Sequence, residues 1–285
     1  MDKLTVDFAN CFSDRVGSHG LSSDAYTRAH EELAELTRKL ESTRGTGWER
    51  WRGLPFDPMR KAHVGPVKKL AKKLRAGAEN LVVLGIGGSA LGNIALQSSL
   101  NPATYNLMPT KKRKGPRLFV LDNVDPNLVE QTLEEVRRTD KGLKKTIFNV
   151  ISKSGETAET AAQFMMIRGM LRKVIGKKYS KQIVAITDPE KGTMRQICDK
   201  EGFVTLPVPE GVGGRFSVLS PVGLFSAAMC GVNIDQLLDG AAEMDARCSQ
   251  SDAKKNPAAT IAWLLMELNK KGKFNHVMMP YCNAL

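Results

Sequence analysis

Three short polar segments in this 285-residue sequence carry residue types that could hold an anion. Gly85-Ile86-Gly87-Gly88-Ser89-Ala90-Leu91-Gly92 has glycines that let backbone N–H groups approach a ligand, and Ser89 adds a hydroxyl where a phosphate oxygen would lie. Ser152-Lys153-Ser154-Gly155-Glu156-Thr157-Ala158-Glu159-Thr160 offers several hydroxyls and a lysine. That donor set suits a phosphate monoester, because each oxygen takes several donors. Gly211-Val212-Gly213-Gly214-Arg215-Phe216-Ser217 flanks an arginine with glycines, which presents its fixed fork of donors to an oxyanion. Each segment also has a plainer reading: a tight strand-to-helix turn, a helix cap using one or two hydroxyls, and a loop arginine without function. Glu159 has two readings that spacing does not separate, a hydrogen bond to a sugar hydroxyl in the same pocket or a surface glutamate.

Other chemistries find less support. Gly85, Gly87 and Ala90 satisfy the GxGxxA dinucleotide fingerprint, and Asp122 could then bind a ribose, but this leaves the hydroxyl segment and Arg215 without a role. Neither GxxxxGK[ST] nor GxSxG occurs. His19, His30, His63 and His276 are isolated, without paired-ligand spacing. The cysteines Cys11, Cys198, Cys230, Cys248 and Cys282 are odd in number with no CxxC pair, which fits neither a zinc site nor a disulfide framework. No metal and no cofactor is expected. Met165, Met166 and Met170 read as helix packing.

The elements that must position these segments are legible as an alternation. Short, continuously apolar runs at 81–84, 118–121, 147–151, 183–186 and 203–206 read as strands buried on both faces. Helical stretches at 91–100, 126–138, 157–175 and 192–200 lie between or beside them. Five β-α units in a row predict an α/β fold, a doubly wound five-stranded parallel sheet flanked by helices. Ligands of such sheets bind beyond the carboxyl ends of the strands, where all three polar segments fall. Before the sheet the chain reads as helical. Residues 24–41 place Ala29, Leu33, Leu36 and Leu40 at helical spacing behind a Ser23 or Asp24 cap. A Gly/Pro-punctuated loop follows, and then a basic helix over 59–74 with Pro66 as a kink. After Gly214 helices are expected over 217–230, 235–246 and 257–269, followed by a lone strand-like run, 276–279.

Composition narrows the class. With 42% hydrophobic and 25% charged residues the chain can build a sizeable core, which excludes a disordered tail or a fibrous repeat. No apolar stretch is long enough to span a bilayer, and no membrane partner is expected. The opening MDKLTVDFANCFSDR carries acids and no apolar core, so no secretory leader is expected and the expected setting is cytoplasmic. A formal charge of +12 comes partly from Lys111-Lys112-Arg113-Lys114 and from Lys68, Lys69, Lys72, Lys73 and Arg75. No aromatic residue interleaves either cluster, so they read as solvated surface charge and no nucleic-acid partner is expected. A positive field would still favour a small anionic substrate.

In that order and spacing, GIGGSALG, SKSGETAET and GVGGRFSVLSPVG resemble the sugar-phosphate-binding segments of the glucose-6-phosphate isomerase (phosphoglucose isomerase) family. The likeness extends over essentially the whole chain. It implies two sugar isomerase (SIS-like) α/β domains and a homodimer. Residues 1–79 would be an N-terminal helical segment and 80–219 the first such domain. Residues 220–285 would be linking helices and, in KFNHVMMPYCNAL, the opening strand of a second, incomplete domain. Carried over by motif, Gly88, Ser89, Ser152, Lys153, Ser154, Thr157, Thr160 and Gly214 would bind substrate. Arg215 would stabilise negative charge near the reacting carbons, with Glu159 in support. The implied reaction interconverts glucose 6-phosphate and fructose 6-phosphate through a cis-enediolate, without metal or redox cofactor. The family's base glutamate sits in an E-S-x-G-K-like segment, followed by a ring-opening histidine and a C-terminal lysine. This chain is expected to stop before all three, and so to be incomplete as a catalyst. The alternative is a non-catalytic sugar-phosphate-binding SIS module, although such modules usually lack the GGRFS segment.

Overall fold

Leu81 and Val83 face one side of a sheet, Val82 and Leu84 face the other, and all four are fully buried. That two-sided burial needs cover on both faces, which parallel strands joined by helical crossovers provide. The computed structural model describes residues 4–282 and 284. In it β1 (Asn80–Leu84), β2 (Arg117–Leu121), β3 (Thr146–Ile151), β4 (Ile183–Thr187) and β5 (Val204–Pro207) form one sheet in the order β2-β1-β3-β4-β5. Every pairing is parallel, in a register that sets Leu84 against Leu121 and Val150, and Ile151 against Ile186. The expected doubly wound five-stranded sheet is therefore the observed one. Its strands match the predicted runs to within one residue at each end.

Along the chain the α-helices are α1 (Ser13–Val16), α2 (Ser23–Arg28), α3 (His30–Ser42), α4 (Met59–Arg75), α5 (Gly88–Leu100) and α6 (Pro126–Thr139). They continue as α7 (Ala158–Ile175), α8 (Thr193–Glu201), α9 (Pro221–Met229), α10 (Ile234–Cys248) and α11 (Pro257–Lys270). One face of the sheet packs on Val64, Val67 and Ala71 of α4, Leu96 of α5 and Leu224, Phe225 and Met229 of α9. The other packs on Val129, Leu133 and Val136 of α6, Phe164, Ile167 and Leu171 of α7, and Met194 and Cys198 of α8. Each Val, Leu, Ile, Phe or Met side chain among them, taken fully from water, contributes about 1.5–3 kcal/mol before its ordering cost. From β1 the chain steps to β2 on one side, then crosses back to β3 on the other. The switch point, where a crevice opens at the carboxyl ends, lies between β1 and β3.

Packing divides the chain into two compact units. Gly45–Leu238 forms the body of the sheet unit, while residues up to Arg44 and Asp239–Pro280 form a helical one. The helical unit closes around Leu21, Leu33, Trp263 and Leu264, with the Tyr26 and Trp263 rings 5.0 Å apart. Within it Arg44 bridges Glu41 at 2.8 Å and Asp245 at 2.9 Å.

Several local expectations are corrected. The helix expected over 24–41 is broken at Ala29 into α2 and α3, and Ser22 caps α2 by accepting from the Ala25 N–H. Its apolar stripe is only partly used: Leu33 is buried with Thr37, whereas Leu36 and Leu40 are 48% and 58% exposed. The basic run is not all solvated, because Arg113 is buried and donates to Glu79 at 2.6 Å. The helix after Gly214 starts later than expected, at Pro221, because Ser220 caps it by accepting from the Val222 N–H. α4 belongs with the sheet unit rather than with the N-terminal helices, since Val64, Val67 and Ala71 share a core with Leu81 and Val83. Residues 276–279, expected as a strand, form no ladder among the described residues, and Val277, Met278 and Met279 are exposed.

Candidate functional site

The turn after β1 leads directly into α5, whose N-cap Gly87 has φ 56° and no capping side chain. The carbonyls of Ile86 and Gly87 take the N–H groups of Ser89, Ala90 and Leu91, so the turn itself caps α5 and the positive end of the helix dipole faces the crevice. Gly88 lies against the turn after β5. A Cβ built there would sit 2.1 Å from the Gly214 carbonyl oxygen and 2.9 Å from the Arg215 nitrogen, closer than atoms can approach. Two segments more than a hundred residues apart thus meet backbone to backbone, and only glycine at position 88 allows it.

A buried polar link fixes this meeting from behind. Asn93, on α5, donates from Nδ2 to the Ser89 carbonyl at 2.9 Å, and its Oδ1 accepts from the hydroxyl of Ser226 on α9. Asn93 and Ser226 are each 1% exposed, so each amide or hydroxyl left unmatched would cost about 1–3 kcal/mol. Sequence reading missed both. The available signal was one polar residue within an apolar stretch of each helix, Asn93 in LGNIAL and Ser226 in PVGLFSAAM.

The hydroxyl segment leaves β3, the neighbour of β1, so the two turns start from strands about 4.8 Å apart. Its residues divide by task. Ser152 is buried and its Oγ accepts from the Gly155 N–H at 3.0 Å, so it shapes the turn from beneath. Ser154 Oγ accepts from the Glu156 N–H at 3.1 Å. Thr157 stands at the N-cap of α7, yet its side chain makes no capping hydrogen bond. Thr160 is 2% exposed, on the helix face that carries Phe164 and Ile167, and therefore lies behind the turn. Glu159 is half-buried on the first turn of α7. The Lys153 carbonyl accepts from the Asp188 N–H and the Thr187 hydroxyl, both at 3.1 Å, which ties this turn to the one after β4. There backbone N–H donation from Glu190 holds the Asp188 carboxyl below its ordinary value, helped by the Lys191 N–H and the charge of Lys153.

The segments after β3 and β5 bring two cations, Lys153 and Arg215, with Asp188 close enough to feel the charge of Lys153. Among the described residues neither Lys153 nor Arg215 forms an ion pair with a carboxylate, and Arg215 is exposed. The structure brings Gly88, Ser89, Gly214 and Arg215 together, and sets Ser152, Lys153, Ser154 and Thr157 at the strand beside them. This arrangement can take up an anion with backbone and hydroxyl donors and place a guanidinium next to it. No group of acids, histidines or cysteines suited to a metal ion occurs among the described residues, and no helix among them is long and apolar enough to cross a membrane.

Known proteins give a consistent comparison. A sequence profile described as phosphoglucose isomerase matches residues 61–285. A glucose-6-phosphate isomerase of Carboxydothermus hydrogenoformans is 37% identical over 282 residues, which is 99% of this chain and 59% of that protein. One of Rubrobacter xylanophilus is 38% identical over 289 residues, covering 100% of this chain and 62% of that protein. The chain thus spans less than two thirds of these relatives' length. Among solved structures, a hypothetical protein from Thermus thermophilus superposes with a TM-score of 0.73 at 32% identity, over 86% of this chain and 54% of that one. A glucose-6-phosphate isomerase from Chlamydia trachomatis shares the fold, with a TM-score of 0.69 at 23% identity over 87% of this chain and 50% of that one.

Proposed function

The chain belongs to the phosphoglucose isomerase family, and on that footing we propose that it carries the phosphate-binding part of an aldose–ketose isomerase acting on glucose 6-phosphate and fructose 6-phosphate. The observation that carries this reading is the seating of Gly88 on Gly214 and Arg215 beside the β1/β3 switch point. There the positive end of α5, an uncommitted threonine hydroxyl, an ammonium and a guanidinium gather, and among the described residues no carboxylate lies within ion-pair distance of either cation. Thr157 and Lys153 hold the phosphate with the Gly88 N–H at the start of α5, Ser89 adds a hydroxyl, and Ser152, Ser154 and Thr160 keep the turn in shape. In the reaction a carboxylate takes the C2 proton of the open-chain aldose. The C2–H electron pair becomes the C1=C2 double bond as the carbonyl pair moves onto O1, giving a cis-enediolate; a proton then returns at C1 while the O2 proton passes to O1, which leaves the carbonyl at C2. Arg215, adjacent to the phosphate end, stabilises the negative charge of that intermediate.

The base is a separate matter. Glu159, on the first turn of α7, supports substrate rather than removing its proton, and the sequence has no E-S-x-G-K-like segment. These 285 residues are therefore expected to bind a sugar phosphate without turning it over at normal rates. A cytoplasmic setting and a homodimer belong to the same proposal, as does a second SIS-like domain.

Calorimetric titration of the 285-residue chain tests it. 6-Phosphogluconate is expected to bind and NADH is not, and mixing with glucose 6-phosphate should yield no fructose 6-phosphate at an ordinary enzymatic rate. Binding of NADH in place of the sugar acid would sink the reading and favour the dinucleotide alternative. Brisk isomerisation would refute the missing base.

A further inference from the structure

The segment Gly47–Gly53, GWERWRG, is a 3-10 turn with no buried residue, and its periodicity gave no reason to assign it a task. Trp48 is 72% exposed, so burial does not explain its place. Its ring lies under the Lys153 ammonium, with Nζ 5.5 Å from the centroid. One turn on, Trp51 stacks on Phe216, ring centroids 4.9 Å apart and planes 14° from parallel. Arg50, between them, pairs with Glu210 at 2.7 Å. Gly211, at φ 72°, sits so close to this segment that a Cβ would meet the Gly47 carbonyl oxygen at 2.6 Å. Thus one short strap touches the turn after β3 through Trp48. It touches the turn after β5 through Trp51, Arg50 and Gly47.

We propose that the strap is the outer wall of the anion crevice and that Trp48 is a positioning residue for Lys153, its indole face holding the ammonium toward the bound phosphate. A lysine side chain is long and samples many rotamers; no carboxylate lies within ion-pair distance of Lys153 among the described residues, Asp188 acts on it only through its charge, and the indole is the group in contact that gives it a heading. A π face does so without neutralising it, so the charge stays available to an anion. The anchoring of the strap at Phe216, next to Arg215, sets the ammonium and the guanidinium in a fixed relation across the crevice. The inference rests on Lys153 being a phosphate ligand.

The test is a double-mutant cycle on the full 285-residue chain, titrated calorimetrically with inorganic phosphate and with 6-phosphogluconate. Trp48→Leu is expected to weaken both ligands roughly two- to fivefold, the range a partly exposed cation–π contact supports. Trp48→Phe should restore most of that loss, because a phenyl ring also offers a π face. In a Lys153→Met background, Trp48→Leu should bring no further loss, and the melting temperature should stay unchanged in every Trp48 variant. Unaltered affinity in Trp48→Leu, or the same loss with and without Lys153, would overturn the role of Trp48 while leaving the phosphate site standing. If Lys153→Met binds both ligands as tightly as the unaltered chain, or the unaltered chain binds neither, the phosphate reading itself fails and this role fails with it.

Discussion

The two ends of α7 treat charge in opposite ways. Toward its C-terminus Arg168 and Arg172 both reach Glu201, the latter at 2.8 Å, and the Tyr179 hydroxyl donates to the same carboxylate. Hydrogen bonding from Tyr179, with Arg168 and Arg172, drives the Glu201 carboxyl down to about 2 against its partial burial. At the N-terminal end Lys153, the unspent Thr157 hydroxyl and nearby Arg215 have no such partner among the described residues. Charge that a fold needs for its own cohesion is matched inside the fold. Cationic groups left unmatched at the carboxyl ends of two strands are set aside for something that arrives.

The sharpest way to break this contrast is Gly88→Ala, which forces the turn after β1 off Gly214. Overlap with backbone cannot relax by a rotamer change, so about 3 kcal/mol of stability and nearly all affinity for 6-phosphogluconate should be lost together, measured by denaturant titration and calorimetry. Next comes a mirror pair. Arg215→Met should weaken 6-phosphogluconate roughly 10- to 100-fold, the worth of a charge-assisted hydrogen bond, with the unfolding midpoint unmoved. Glu201→Gln should do the reverse, lowering stability by about 1–3 kcal/mol at unchanged affinity, because two arginines lose their counter-charge. If either variant moved both quantities, the division of labour along α7 would be wrong. The smallest effect is one of pH. A depressed carboxyl pKa contributes stability that is complete above its ordinary value near 4.5 and is lost as pH falls toward about 2. The stability gap between the unaltered chain and Glu201→Gln should therefore be constant from neutral pH down to about 5 and shrink steadily below 4.5.

The strands were legible because each is a short, mostly apolar run, broken only by Asn149 in β3 and Thr205 in β5, and even β5, where Val204 is 40% exposed, kept its signature. The donor-rich turns could be read from residue types alone, since hydroxyls and glycines cluster there. What could not be read was how they meet. The seating of Gly88 on Gly214 joins two backbones and leaves no periodicity in either segment. The Asn93–Ser226 link shows in the sequence only as two polar residues inside apolar helices, and nothing there pairs one with the other. Trp48 escaped for the opposite reason: it lies outside any core, in a turn whose pattern has neither a strand's period nor a helix's. The break at Ala29 was hidden because Leu36 and Leu40 continue a helical spacing that packing in the helical unit does not use.

The same Gly88 contact sets an order of events during synthesis. A ribosome delivers β1 and its glycine turn early, but the Gly214 carbonyl that closes on it emerges only after β5, on the order of ten seconds later at usual elongation rates. By then β2, β3, β4 and β5 have all been made and can pair beside β1, so the sheet can assemble strand by strand while the crevice at its carboxyl ends gains its second wall only afterwards.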